Sequence, residues 1–318
     1  MNPLIIAGVD VGRYFLAPLA GFSDFPFRRR ARAFGADLVY TEMVSAAALA
    51  RRSKKTYRYT EHRPDESPIA LQLFGGVPED FARAVSLNDF SSFDFIDINM
   101  GCPVKKVTRT GGGASLLSDI ERMHRIVTSV RENTAIPVCV KIRLGDRPSE
   151  GGEIERLHAL IDAGAVFIAV HARYRTEMFG GTPHWDTLAK IVEASSVPII
   201  ANGDILTAGD VTRVLSDTKA AAVMIGRGAI GKPWIFRELR AAGVPPRTTA
   251  DEIKTVMRLE LADMVELYGP AYGVKEFRKH FVKFLRNFRI TREERTTVLR
   301  LEDQSGVLAF IDTLEGKA

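Results

Sequence analysis

The chain has 318 residues, of which 46% are apolar and 26% charged, with 44 Lys and Arg against 39 Asp and Glu for a net charge of +5. That length fits one large domain with a smaller one, and the charge leans toward a polyanionic partner. Two cysteines, Cys102 and Cys139, exclude a disulfide framework, and no Cys/His spacing suggests a metal site. No run of about 20 apolar residues predicts a membrane span, and no leader is read at the start, so a cytoplasmic protein is expected.

Eight short apolar runs follow one another: Arg13–Pro18, Asp37–Met43, Pro68–Phe74, Phe93–Asn99, Pro137–Arg143, Ala165–His171, Val197–Gly203 and Ala221–Gly226. Helical patterns lie between them, at Phe25–Phe34, Glu79–Ser86, Asp119–Arg131, Glu153–Ala163, Trp185–Ala194 and Thr207–Leu215. Strand–helix alternation of this kind means parallel strands with crossover helices. Eight units in about 240 residues is the size of a closed (β/α)8 barrel, with a doubly wound open sheet as the competing architecture. The segment Ala241–Thr249, with two prolines and a glycine, reads as a linker. Beyond it only helical patterns remain: Asp251–Tyr268, Gly273–Phe288, Arg292–Arg300 and Glu302–Leu314. The expected organisation is therefore a TIM barrel over residues 1–242 and a small helical domain over 243–318.

The chemistry is expected at the C-terminal ends of the strands. Strand alternation puts Asp97 and Asn99 on one face, and Gly101 and Pro103 then break the strand to present Cys102 on a turn. Gly111, Gly112 and Gly113 follow, read as backbone that can approach a bound group closely. On the same parity Gln72, Lys141, His171 and Asn202 end their strands with polar groups, and together these residues would ring the barrel mouth. The turns Asn202-Gly203-Asp204 and Gly226-Arg227-Gly228 follow strands seven and eight, where such barrels commonly hold phosphate through backbone N–H groups. Arg227 would add a fixed cation. A planar cofactor with a phosphate tail fits this pattern, and flavin mononucleotide (FMN) meets the description. No GxGxxG turn after the first strand suggests a stably held dinucleotide.

At these residues the chain resembles the tRNA-dihydrouridine synthases of the bacterial B type. The matching pieces include Ala17-Pro18-Leu19-Ala20-Gly21, Thr41-Glu42-Met43, Gln72-Leu73-Phe74-Gly75, Asn99-Met100-Gly101-Cys102-Pro103 and Lys141-Ile142-Arg143. They continue through His171-Ala172-Arg173, Asn202-Gly203-Asp204-Ile205, Gly226-Arg227-Gly228-Ala229 and Gly231 to Phe236, then Tyr268 to Ala271 and Arg278-Lys279-His280. One departure is Leu19, where the family usually has Met; both are apolar. The resemblance runs from about Phe15 to Phe288. It implies an FMN enzyme that reduces the 5,6 double bond of uridines in the D-loop of tRNA, with NADPH as electron donor and Cys102 as the general acid. It places Pro18, Leu19, Ala20, Gln72, Lys141, His171, Asn202, Gly203, Asp204, Gly226 and Arg227 at the cofactor, and Asn99 and Arg173 as contacts to the uracil or flavin.

From Lys275 to Arg300 nine Lys and Arg face three acids. Phe277, Phe281, Phe284, Leu285 and Phe288 recur at helical spacing and read as core, while Lys275, Lys279, Lys283 and Arg286 fall on the other side as candidate phosphate contacts. No stable protein partner is implied, and a monomer is expected. Two alternatives stay open at this point: a flavin barrel acting on free pyrimidines, and a tRNA-binding barrel without catalysis.

Overall fold

Each of the eight apolar runs forms a parallel strand in the computed structural model, which describes residues 3–241 and 244–316. The strands are β1 (Tyr14–Leu16), β2 (Val39–Tyr40), β3 (Ile69–Phe74), β4 (Phe95–Met100), β5 (Val138–Arg143), β6 (Ile168–His171), β7 (Ile199–Asn202) and β8 (Ala222–Ile225). Neighbours pair in sequence order, and β8 pairs with β1. The ring closes where Leu16 N donates to Leu38 O at 2.8 Å beside the Phe15–Leu38 bridge. This is a (β/α)8 TIM barrel.

Alternation along the strands separates two apolar cores. Phe15, Phe95 and Phe167 meet edge to face inside the barrel, with ring centroids 5.3–6.0 Å apart. Ile96, Ile98 and Met100 of β4 face outward instead, into the larger core under the helices. A helix follows each strand: α1 (Phe25–Ala33), α2 (Ala46–Ala50), α3 (Pro78–Ser86), α4 (Ile120–Arg131), α5 (Glu153–Asp162), α6 (Trp185–Glu193), α7 (Ala208–Thr218) and α8 (Ile235–Arg240), with one further helical turn each after β2 (Lys54–Tyr57) and β4 (Lys105–Thr108). Side-chain caps fix several of their starts. Asp24 caps α1 ahead of Pro26, and Thr207 with Asp210 forms a capping box on α7.

Several elements lie outside the sequence reading. Helix α2 is five residues of Ala and Leu, too short to show a period. Helix α8 is six residues long. Before the barrel an antiparallel hairpin joins Ile5–Ile6 to Val9–Asp10, and Ile6 and Val11 complete the interior core at that end.

The expected domain division at 242/243 lies outside the described residues. Past it come α9 (Ala250–Tyr268), α10 (Pro270–Phe284), α11 (Arg292–Val298) and α12 (Gln304–Thr313). The tail is not wholly helical: Phe288–Arg289 pairs with Glu315–Gly316 as two short antiparallel strands. Helices α9 and α10 cross so closely that a Cβ on Gly273 would sit 2.5 Å from Met264 O. Their core of Met257, Leu261, Phe277, Phe281 and Phe284 includes Trp234 from the barrel's last connection. Among the described residues no helix is long and apolar enough to cross a membrane.

Candidate active site

The C-terminal ends of the strands surround a cavity of about 650 Å³. Its floor and walls are largely apolar: Pro18, Leu19 and Ala20 after β1, with Met43, Met224, Ile205 and Phe179. Into it project Gln72, Asn99, Cys102, Lys141, His171, Asn202 and Arg227, all of them read from the sequence as mouth residues. Gly203, Asp204 and Gly226 contribute the rim between β7 and β8.

A hydrogen-bonded belt in two stretches fixes the polar groups. Gln72 Nε2 donates to Asp97 Oδ2 at 2.6 Å, and Asn99 Nδ2 donates to Gln72 Oε1 at 2.9 Å. Cys139 Sγ donates to the other Asp97 oxygen at 3.4 Å. The Asn99 Oδ1 accepts the amides of Gly101 and Cys102, at 3.1 and 2.9 Å. Thus Asn99 shapes the turn that carries the thiol. Arg143 holds the same turn from the other side, donating from Nε to Gly101 O at 2.9 Å. Farther round, Lys141 Nζ donates to Asn202 Oδ1 at 3.1 Å, and Asn202 Nδ2 donates to Met224 O at 2.7 Å.

Burial sets the protonation states. It pushes the Cys102 thiol above its ordinary value despite nearby Arg143 and Lys141, so the thiol keeps its proton at neutral pH. Lys141 is brought down to about 8, by burial first and by Arg143 next. Asp97 is raised to about 6 by burial, which outweighs the Gln72 and Cys139 hydrogen bonds. Burial, with Lys141, Arg143, Arg173 and Arg227 around it, drives His171 to about 2, so its ring is neutral. Arg173 Nη1 lies 3.3 Å from His171 Nε2; on a neutral ring that nitrogen accepts and Nδ1 carries the proton.

Beside β7 and β8 the backbone is arranged for an anion. Among the described residues the amides of Asp204, Arg227 and Gly228 find no acceptor within the protein. Arg227 Nη2 donates to Asp204 Oδ1 at 2.6 Å, and its guanidinium lies 5.7 Å from the Phe179 ring centroid. The other oxygen of Asp204 takes Arg173 Nη2 at 2.5 Å. These amides, with Arg227 and the apolar floor, suit a phosphate-tailed planar group of the kind expected from the sequence.

Two expectations need correction. Arg173 does not line the cavity: its guanidinium is buried, donating to Gly180 O and Gly181 O at 2.8 Å each and to Asp204. Strand β6 ends at His171, so parity no longer carries a residue two positions later into the mouth. The Gly111–Gly113 run does not line it either. A Cβ on Gly113 would sit 2.6 Å from Cys102 O, and one on Gly112 would sit 2.7 Å from Gly75 O. Gly113 lets backbone pack on the thiol's own loop, and Gly112 lets it pack on Gly75 after β3.

Of the tail lysines, Lys275 is exposed and Lys279 donates to Glu276 at 2.5 Å. Lys283 is half-buried against Gly231, while Arg286 reaches the cavity lining. Sequence reasoning missed Asp97 as the pivot of the belt, although its parity matched Asn99. It also missed Phe179, which sits between Arg143 and Arg227 on a loop with no periodic signal.

Residues 15–317 match the family described as Dihydrouridine synthase (Dus). The chain belongs to the dihydrouridine synthase family. A protein of Pseudomonas aeruginosa named tRNA-dihydrouridine synthase B is 36% identical over 304 residues, covering 94% of this chain and 91% of its own length. One of the same name from Klebsiella pneumoniae is 34% identical over 305 residues, covering 94% and 95%. Among solved structures, morphinone reductase matches the fold with a TM-score of 0.57 at 14% identity, over 79% of this chain and 91% of that one. A morphinone reductase mutant in complex with tetrahydroNAD gives the same TM-score at 13% identity. As a family member, this barrel is an oxidoreductase of the flavin-dependent type.

Proposed function

We propose that the chain reduces uridines in the D-loop of tRNA to 5,6-dihydrouridine, with FMN held in the cavity and NADPH as the electron donor. The observation that carries this reading is one cavity shared by a protonated thiol on a braced turn, Cys102, by Lys141 and by Arg227. The relatives named as tRNA-dihydrouridine synthases support tRNA as the substrate.

In this reading the amides of Asp204, Arg227 and Gly228, with the Arg227 cation, hold the FMN phosphate. Asp204 serves by aiming Arg227. Pro18, Leu19 and Ala20 cover the ring system, and Gln72, Lys141, His171, Asn202, Gly203 and Gly226 meet its polar edge and tail. When bound and reduced, FMN supplies the hydride equivalent. Cys102 supplies the proton: its S–H bond breaks as a C–H bond forms at carbon 5 of the uracil, and the thiolate then takes a proton from solvent. Asn99 fixes the distance and angle of that transfer through the two amides it accepts, which is where orientation gains rate. Lys141 keeps positive charge beside the electron-rich cofactor edge. The barrel over 1–242 would thus hold the chemistry. The tail over 243–318 would grip tRNA through Lys275, Lys279, Lys283 and Arg286, offsetting the few kcal/mol needed to unstack a nucleotide.

The test is dihydrouridine mapping in tRNA from cells lacking this protein, complemented with wild type or Cys102→Ala. Loss in the knockout, return with wild type and no return with the variant are expected. Full modification in the knockout would remove the assignment. Purified protein given NADPH and either tRNA or free uracil should consume NADPH with tRNA alone; turnover of free uracil would favour a free-pyrimidine reductase.

A further inference from the structure

The tail is not the sole concentration of positive charge. After α2 the chain reads Arg51-Arg52-Ser53-Lys54-Lys55-Thr56-Tyr57-Arg58-Tyr59, five cations with no carboxylate between Glu42 and Glu61. Arg51, Arg52, Lys54 and Lys55 are exposed, and none has an ion-pair partner among the described residues. Tyr57 and Tyr59 are exposed as well, at 40% and 36%, and Tyr272 of α10 at 41%. Arg58 packs on one of these rings and beside another: its Nη2 donates to Tyr59 Oη at 3.2 Å, its guanidinium lies 5.0 Å from that ring's centroid, and Tyr272 lies close by.

The segment is anchored close to the cavity. Met43 lines the cavity, and Val44–Ser45 pairs with the C-terminal end of β3. Helix α2 then spans only about 7.5 Å before Arg51. On its other side Tyr272 packs edge to face on Tyr268, with centroids 5.7 Å apart, and Tyr268 bonds Asp24 at the end of the cavity loop. From Tyr272, α10 runs about 18 Å past Lys275 to Phe284, and Arg286 follows in the next turn at the cavity. Basic side chains on the barrel therefore continue into those of the tail.

A second observation singles out Arg52. Its φ is +54°, the left-handed region, at the position just past a helix end where glycine carries no strain. An arginine kept there holds a cation out from the surface at a conformational cost that glycine would not carry.

We propose that Arg51, Arg52, Lys54 and Lys55, with Tyr57, form a second RNA-contact surface on the barrel, the cations on backbone phosphates and the tyrosine under an unpaired base. It rests on the reading of RNA as the substrate. The chemistry fits because counterion release rewards clustered cations, and exposed aromatic faces stack on unpaired bases.

The test titrates unmodified tRNA against the FMN-loaded protein over a range of KCl concentrations. Replacing Arg51, Lys54 and Lys55 by Ala and Arg52 by Gly should weaken binding about ten- to a hundredfold at low salt. The log–log salt slope should become shallower by about 3, at roughly 0.7–0.9 per lost phosphate contact. Flavin content should stay unchanged. Arg52→Gly alone should weaken binding while leaving the thermal midpoint equal or higher, which loss of a structural residue would not do. Tyr57→Ala should weaken binding about five- to a hundredfold and Tyr57→Phe should restore it. Wild-type affinity and slope in the fourfold variant, while wild type binds and modifies tRNA, would remove this surface and leave the assigned reaction standing. The same holds if the variant loses adhesion to phosphatidylserine vesicles but keeps its tRNA affinity. A wild type that neither binds nor modifies tRNA would overturn both.

Discussion

The Cys102 thiol and the Lys141 amine sit in one cavity, and burial moves them in opposite directions on the pH scale. The thiol is pushed up, so it holds its proton; the amine comes down to about 8, so its charge becomes titratable. For Cys102→Ala, the expected result is a fall in the dihydrouridine-forming rate of about 10²–10⁴, the usual worth of a positioned general acid. The flavin-to-protein ratio should not change, because the side chain removed is a single thiol that supports no other residue of the belt. Lys141 gives a pH dependence. Its cation is present below about 8 and lost above it, so affinity of the deflavinated protein for FMN should decline as pH rises through that value. Fluorescence titration of FMN at a series of pH values measures this. A Lys141→Met variant should bind more weakly at pH 7 and lose the decline. A wild-type affinity flat across pH 8 would show that the amine does not meet the cofactor's negative charge.

Turns and strand ends, rather than strands themselves, decide what the sequence could reveal. Inside β4 and β5, parity assigned Asn99 and Lys141 to the mouth correctly because a pleated strand leaves no choice of face. One turn beyond a strand that rule lapses, which is why Arg173 was misplaced and Phe179 unseen. The Gly111–Gly113 run shows the same limit. A glycine run indicates close approach but not to what, and here Gly113 meets the backbone of the Cys102 turn while Gly112 meets Gly75. Gly113→Ala should therefore act on the thiol's position. Its φ of +60° strains any other residue by about 1 kcal/mol, and the new methyl would also press on Cys102 O. Gly151→Ala is the control, with φ +67° and nothing within 4 Å of a Cβ. Both should lower the thermal midpoint by about the same few degrees from backbone strain, Gly113→Ala somewhat more. Only Gly113→Ala should also cut the turnover rate tenfold or more at unchanged flavin content. Equal activity in the two variants would show that the loop tolerates displacement under Cys102.

At the scale of the molecule, composition marked a linker and a helical tail, and a reader of sequence would take these as separable. Packing argues otherwise, because long-range contacts between the two parts have no local signature. Trp234 belongs to the barrel's last connection, yet it stacks on Phe284 of α10 at 6.2 Å and meets Phe34 at the end of α1. Arg29 and Arg30 of α1 both pair with Asp263 of α9, and Arg237 of α8 pairs with Glu252. The join also touches the cavity. Phe22, which lines it, lies 5.1 Å from the buried His280 ring of α10, and Tyr268 donates to Asp24, the cap of α1. Removing the tail would expose Trp234 and Phe34 to water, at about 1.5–3 kcal/mol for each side chain of that size. It would also leave Asp24 and the Asp263 partners without their opposing groups and take away the support behind Phe22. A chain ending at Arg240 is therefore expected to lose bound flavin as well as RNA affinity, and to aggregate. Flavin absorbance per mole of protein and size-exclusion chromatography read the two effects separately. A truncated barrel that stayed monomeric and yellow while failing to bind tRNA would show that the tail serves only as an RNA grip, and that the contacts of Phe22 and Asp24 across the join do not hold the cavity loop.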